Sequence, residues 1–307
     1  MPWWCWMNRR IVWFGELTTP AQLYRRGLWF LLPAAIWILG LLVIPGLSLV
    51  ALSFAERGQY GEVVWNFSLE NYRRLLGYGI FGWSPDTILI LLRSLWVAFV
   101  TTLICIVLAY PLAFFIASRP PRTRYLWLAL VIIPFWTNLV IRTYAWQMLL
   151  APDFPFAKLA QALGLLAPDS GLYPSPLAVY IGMITAFLPF VVMPLFSSVE
   201  RLDWSLVEAA QDLYASRIRT FFQAIWPQTL PGLTVGIILT FIPAMGMFVI
   251  PDLLGGAKYL LVGNLIQQQF YASRDWPYGA AVSLGLMVMT LIGLAIYRRR
   301  GKDVDLV

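Results

Sequence analysis

The sequence predicts an all-α integral membrane protein with six transmembrane helices and both termini cytoplasmic. Three observations carry this. Of 307 residues, 60% are hydrophobic and only 12% charged, with a mean hydropathy of +0.73, whereas charged residues alone make up about 25% of ordinary soluble domains. Apolar runs recur at or above the roughly 20 residues needed to cross a hydrocarbon core of about 30 Å. The basic residues are also divided unevenly. Fourteen of the 22 fall on the side that holds both termini and six on the other, and cytoplasmic flanks are the ones enriched in Lys and Arg.

In chain order, residues 1–27 read as a cytoplasmic or interfacial segment whose Trp3, Trp4, Trp6 and Trp13 suit the membrane boundary. The opening "MPWWCWMNRR" lacks the order of a cleavable signal peptide. Residues 28–53 form the first span and 54–86 an extracytoplasmic loop. Residues 87–297 form a five-helix core, with spans at 87–117, 126–150, 176–198, 229–254 and 278–297. A cytoplasmic loop, 199–228, separates the fourth and fifth spans, and 298–307 is a basic cytoplasmic tail. Ten prolines fall within the spans, among them Pro134, Pro243 and Pro251. Membrane helices tolerate such breaks where freed backbone groups find neighbours or a wet cavity, which suits a bundle around a path better than a simple anchor.

Several function classes are excluded or disfavoured. The chain has no histidine and two cysteines, Cys5 in a tail and Cys105 in mid-span, so His-ligated zinc, a His-based triad and a structural disulfide are not expected. No GxxxxGK[ST] phosphate loop occurs. Energy for work on a solute must come from a partner or a gradient. No soluble domain exists to present a basic face to nucleic acid. A gradient-driven transporter, the rival from another class, would show internal repeats and an ionisable coupling site near midplane, and neither is evident.

The loop at 199–228 is amphipathic. Leu202, Leu206, Ala209, Ala210 and Leu213 recur at helical spacing, and Ser205 with Glu208 matches a capping box that starts a helix at Leu206. Ile218, Phe221, Phe222 and Ile225 mark a second helical face, with Ser216 as its N-cap and Pro227 ahead of the next span. Periodicity alone leaves two readings, an interfacial anchor and a docking site for a partner.

The residues themselves carry a resemblance. "EAAQDLYASRIRTFFQAIWPQTLPG", 208–232, resembles the EAA loop of type I, binding-protein-dependent ABC importer permeases, which have the MetI-like fold. Glu208, Ala209, Ala210 and Pro227 fit the pattern, as do Asp212, Ala215, Ser216, Phe221, Pro231 and Gly232. Tyr214 departs, standing where the family has glycine. "PFWTNLVIRTYAW" (134–146) and "FIPAMGMFVIPDLLGGAKYLLVGNLIQQQF" with "RDWPYGAA" (241–281) are similar to the first permease subunit of spermidine/putrescine importers. The resemblance implies a non-catalytic subunit of the bacterial inner membrane, binding no cofactor itself. It implies a heterodimer with a second, homologous permease, two copies of a cytoplasmic ATPase that hold ATP and Mg, and an extracytoplasmic substrate-binding protein. Ser205–Pro227 is then the ATPase-coupling segment, with Glu208 near the contact; relatives carrying other solutes remain the alternative within the class.

A polycation path calls for carboxylates and aromatic faces. Asp252 is the one acid inside the six spans, and a continuous helix from Thr229 would lift it about 34 Å, to the outer edge. Asp252, Trp136 and Tyr144 are therefore candidates for an outer gate, with capping of a helix end as the other reading of Asp252. Arg142 would lie about 24 Å along the third span, with Asn138 one turn below on the same face. The pair lines the path or ties helices together, and repulsion of a polycation favours the second role.

Overall fold

Helix boundaries follow the capping and proline signals. The computed structural model describes residues 20–79, 82–164, 167, 170–256 and 259–301; Trp3, Trp4, Trp6, Trp13, Cys5, Lys258 and the tail from Lys302 lie outside the described residues. The chain divides into two units, Met1–Leu52 and Ser53–Val307. In the first, α1 (Pro20–Ser53) is a 34-residue helix that exposes large apolar side chains such as Leu31, Trp37 and Leu42 on all sides. That pattern belongs to a helix surrounded by lipid or by other subunits.

The second unit begins with two short antiparallel hairpins, β1 (Glu56–Arg57) with β2 (Val63–Val64) and, after α2 (Glu70–Leu75), β3 (Tyr78–Gly79) with β4 (Gly82–Trp83). There follow α3 (Asp86–Ala117), α4 (Pro121–Trp136), α5 (Leu139–Leu149), α6 (Pro155–Ala162) and α7 (Pro176–Glu200). Then come α8 (Trp204–Asp212), α9 (Arg217–Thr220), a π-turn (Phe221–Ile225), α10 (Trp226–Gly246), α11 (Val249–Leu254), α12 (Val262–Tyr271) and α13 (Trp276–Gly301).

Among the described residues five stretches are long and apolar enough to cross a membrane, and the pair α4 and α5, bent by 91°, makes a sixth if it is counted as one span. The continuous span expected over 126–150 is thus corrected to two helices with a break between them. Pro134 lies in the last turn of α4, Thr137 is extended, and Asn138 caps a new helix by accepting from the Val140 N–H at 2.8 Å. The expected fifth span is also interrupted, because α10 ends at Gly246 after Pro243 and Met247 is extended. The Phe248 carbonyl at that break accepts from the Asn264 amide at 2.9 Å. The same carbonyl also accepts from the Asp252 N–H at 3.0 Å, so a side chain from α12 adds to the backbone bonding at the break.

α3, α7 and α10 pack against one another and form the core, with Val97, Ala98, Ala109, Met183, Val191, Val192, Leu195 and Met245 buried. The α7–α10 seam is held close by glycine. A Cβ on Gly232 would sit 2.3 Å from the Pro194 carbonyl oxygen, and one on Gly236 would sit 3.1 Å from the Val191 Cα. The two glycines are four residues apart, the small-xxx-small spacing that lets membrane helices approach closely.

At the other end of the bundle, Asp275 is buried and accepts from Arg74 at 2.9 Å, with Arg57 at 4.0 Å. Its second oxygen caps α13 at the Tyr278 N–H, and the Arg74 guanidinium lies 4.1 Å over the Tyr278 ring. The loop between Ser53 and α3 is pinned to the start of α13 by these contacts.

Candidate functional site

α8 begins at Trp204, two residues earlier than the capping-box pattern predicts. Asp203 is the N-cap, its carboxylate accepting from the Ser205 N–H at 3.0 Å. A carboxylate serves this position as well as a serine and is favoured by the helix dipole, so Ser205 falls inside the first turn and does not cap.

The fold decides which side of α8 meets the bundle. Val207 is the buried residue of α8, while Leu206, Glu208, Ala209 and Leu213 are exposed and Ala210 half-buried. Leu206, Ala209, Ala210 and Leu213 therefore form an outward apolar stripe at the i, i+3, i+4, i+7 spacing with which a helix fills a partner's groove.

The helix ends in a complete Schellman turn. The Ala215 N–H donates to the Ala210 carbonyl at 3.1 Å and the Tyr214 N–H to the Gln211 carbonyl at 2.9 Å, the two bonds that define the motif. Tyr214 occupies the position that normally falls to glycine, at φ 58°. The left-handed conformation costs a non-glycine residue about 1–2 kcal/mol, yet the turn forms, with the Tyr214 side chain 97% exposed. Ser216 caps α9 as predicted, accepting from the Arg219 N–H at 3.4 Å.

The return to the bundle passes through the π-turn, in which the Trp226 N–H reaches the Phe221 carbonyl five residues back. Phe221 is half-buried and meets Tyr110 of α3 edge-on at 5.7 Å, and Pro227 stands in the first turn of α10. Beside the loop, Arg124 of α4 pairs with Glu200 of α7 at 2.7 Å and donates to the Ala117 carbonyl of α3 at 3.0 Å. The ends of α3, α4 and α7 are thereby tied together where α8 departs.

Of the candidate path residues, Asp252 lies in the first turn of α11 and is exposed; Phe248, not Asp252, holds the N-cap position. The height reckoned along one straight helix does not apply, since α10 stops at Gly246. Among the described residues Asp252 makes no ion pair. Tyr144 is exposed on α5, which packs against α11, and Trp136 is exposed at the end of α4.

Arg142 is displaced from its reckoned height by the 91° bend. Its guanidinium lies 5.5 Å over the Phe135 ring, and that ring meets Phe190 of α7 edge-on at 4.9 Å. Asn138 does not share its face, because its side chain turns back to cap α5. Reading the sequence missed Tyr110, Gln228 and Thr229; the available signal was two polar tips, Tyr110 and Thr229, inside apolar runs where each needs a partner.

Residues 109–304 match the family model of the binding-protein-dependent transport system inner membrane component. The chain belongs to this family. It is accordingly a multi-pass protein of the inner membrane and a transport permease component. It is 42% identical over 266 residues to the spermidine/putrescine transport system permease protein PotB of Escherichia coli K12, covering 87% of this chain and 94% of that protein. The Haemophilus influenzae PotB is 38% identical, with 87% and 91% covered. A putative 2-aminoethylphosphonate transport system permease protein of Salmonella typhimurium LT2 is 27% identical over 298 residues, with 92% and 94% covered. Among solved structures, a bacterial ABC transporter that imports the acidic polysaccharide alginate superposes with a TM-score of 0.68 at 17% identity, covering 93% of this chain and 98% of that one. This binding-protein-dependent permease therefore shares the fold of ABC importer membrane subunits.

Proposed function

We propose that this permease forms half of the translocation path of an ATP-driven polyamine importer. The observation that carries the proposal is the 42% identity to the spermidine/putrescine permease over 94% of that protein's length. A second, homologous permease completes the path. Of two copies of a cytoplasmic ATPase, holding ATP and Mg, one engages the outward stripe of α8, with Glu208 and Asp212 beside the contact. An extracytoplasmic binding protein delivers the solute at the opposite end. Movement of the ATPase pair reaches the bundle through α8, the Tyr214 turn and the π-turn, and switches the path between inward- and outward-facing states.

At the outer mouth, Asp252 offers a carboxylate and Tyr144 and Trp136 offer ring faces, the two kinds of group that attract a polycation. The exposure of Asp252, and its lack of an ion pair among the described residues, support a mouth role over a capping one. Arg142, seated on Phe135, serves packing and lies off the solute route. The test is uptake of labelled spermidine into proteoliposomes holding the assembled permease pair, ATPase and binding protein. ATP-dependent uptake blocked by excess putrescine supports the proposal. Uptake of another small solute, such as the 2-aminoethylphosphonate named for a 27% identical relative, would keep the class and replace the solute.

A further inference from the structure

One amide joins the two ends of the coupling segment. Gln228, in the first turn of α10, accepts through Oε1 from the Asp203 N–H at 2.9 Å and donates through Nε2 to the Ala224 carbonyl at 2.8 Å. Both ends of the side chain are used, which fixes its orientation. Asp203 is the cap of α8 and Ala224 lies in the π-turn. The N-cap of α8 and the π-turn before α10 are thus held by a single side chain, 25 residues along the chain from Asp203.

A second link continues inward from the next residue. Thr229 is buried and donates to the Trp226 carbonyl at 3.0 Å, so the Tyr110 hydroxyl, 2.9 Å away, is the donor to it. The Tyr110 ring stacks on Trp226 at 5.8 Å with an interplanar angle of 8° and meets Phe221 edge-on at 5.7 Å. Tyr110 belongs to α3, so these contacts fasten the π-turn to the core of the bundle. π-turns are rare and concentrate at functional sites, because an extra residue leaves part of the helical ladder to be completed by other groups. Here the Gln228 amide pairs with the Ala224 carbonyl of the π-turn, while Tyr110 packs on the Phe221 and Trp226 rings that flank it.

We propose that Gln228 and Tyr110 are the positioning residues that make α8 and the membrane bundle move as one body, so that work done on α8 reaches α3 and α10. Resting on the reading of α8 as the ATPase-docking helix, the proposal assigns the transmission elements behind it. Without the Gln228 bridge, α8 is joined to α10 only along the chain, through the Tyr214 turn and α9, and is otherwise held by its link to α7 and by its one buried side chain, Val207. Its displacement would then be absorbed in the loop.

The test uses the full complex in lipid nanodiscs, with ATP hydrolysis measured with and without solute-loaded binding protein and expressed per assembled complex. Gln228→Met keeps the length of the side chain and removes both hydrogen bonds; Gln228→Glu keeps the acceptor for Asp203; Tyr110→Phe removes only the hydroxyl. Gln228→Met is expected to retain the ATPase subunits but to lose about fivefold or more of the stimulation by binding protein. Gln228→Glu is expected to recover part of that loss, and Tyr110→Phe to show a smaller one. A purely structural role would lower the yield of complex and leave stimulation per complex unchanged. Stimulation within about twofold of wild type in both Gln228→Met and Tyr110→Phe overturns the proposal. If Gln228→Met does not assemble, Tyr110→Phe decides. A wild-type chain that holds no ATPase refutes the docking reading itself, an outcome distinct from lost stimulation in an intact complex.

Discussion

The Ala215 N–H donates to the Ala210 carbonyl at 3.1 Å, closing the end of the coupling helix around a tyrosine at φ 58°. The family geometry survives the loss of its glycine, because two backbone hydrogen bonds hold Tyr214 in a conformation its side chain disfavours. Tyr214→Gly should therefore relieve about 1 kcal/mol of strain and raise, or leave unchanged, the unfolding temperature of the purified permease pair. Tyr214→Val should lower it, since a β-branched residue resists positive φ. Thermal unfolding in mild detergent checks both.

Glu208 and the stripe of Leu206 and Leu213 are exposed in the isolated chain. If they face a partner ATPase, Glu208→Lys should abolish its co-elution in mild detergent. Leu213→Asp should do the same by placing a charge in an apolar groove. Size-exclusion chromatography of the co-expressed subunits gives the answer, and co-elution of the ATPase with both variants would reject the docking face.

Asp252→Asn removes the charge and preserves the shape of an exposed residue in α11. Spermidine uptake should fall several-fold with assembly intact, and loading of the binding protein itself should not change. Unchanged uptake in proteoliposomes would remove Asp252 from the path.

Gly232 has no room for a side chain, since a Cβ there would lie 2.3 Å from the Pro194 carbonyl oxygen. Gly232→Val should separate α7 from α10 and cost about 1–3 kcal/mol or more, seen as loss of monodisperse protein. Gly236→Ala meets the Val191 Cα at 3.1 Å and should be milder. Comparing the yields of the two variants measures how tightly the seam is set.

The helical character and most of the membrane helices, as well as the amphipathic segment between α7 and α10, are legible in composition and periodicity. The break at Asn138 is not, because an uninterrupted apolar run reads as one span whether or not the chain turns inside it. Pro134 marks the site, but only the cap that Asn138 makes for α5 turns a tolerated proline into a 91° bend. Which side of α8 meets the bundle is not legible for a related reason. The spacing of its leucines carries no record of which neighbour they meet, and only the fold buries Val207 while leaving Leu206 and Leu213 exposed.

Hydrophobicity, basic-residue bias and the Glu208-to-Gly232 pattern settle that this chain lives in a membrane and belongs with importer permeases, because partition into lipid and local capping depend on residues close in the chain. Tertiary structure decided the rest. The Gln228 bridge to Asp203, the stacking of Tyr110 on Trp226, and the pinning of Asp275 by Arg74 join residues 25, 116 and 201 positions apart. Such contacts form only when packing brings distant parts of the chain together, and no local pattern specifies which partner each side chain will find.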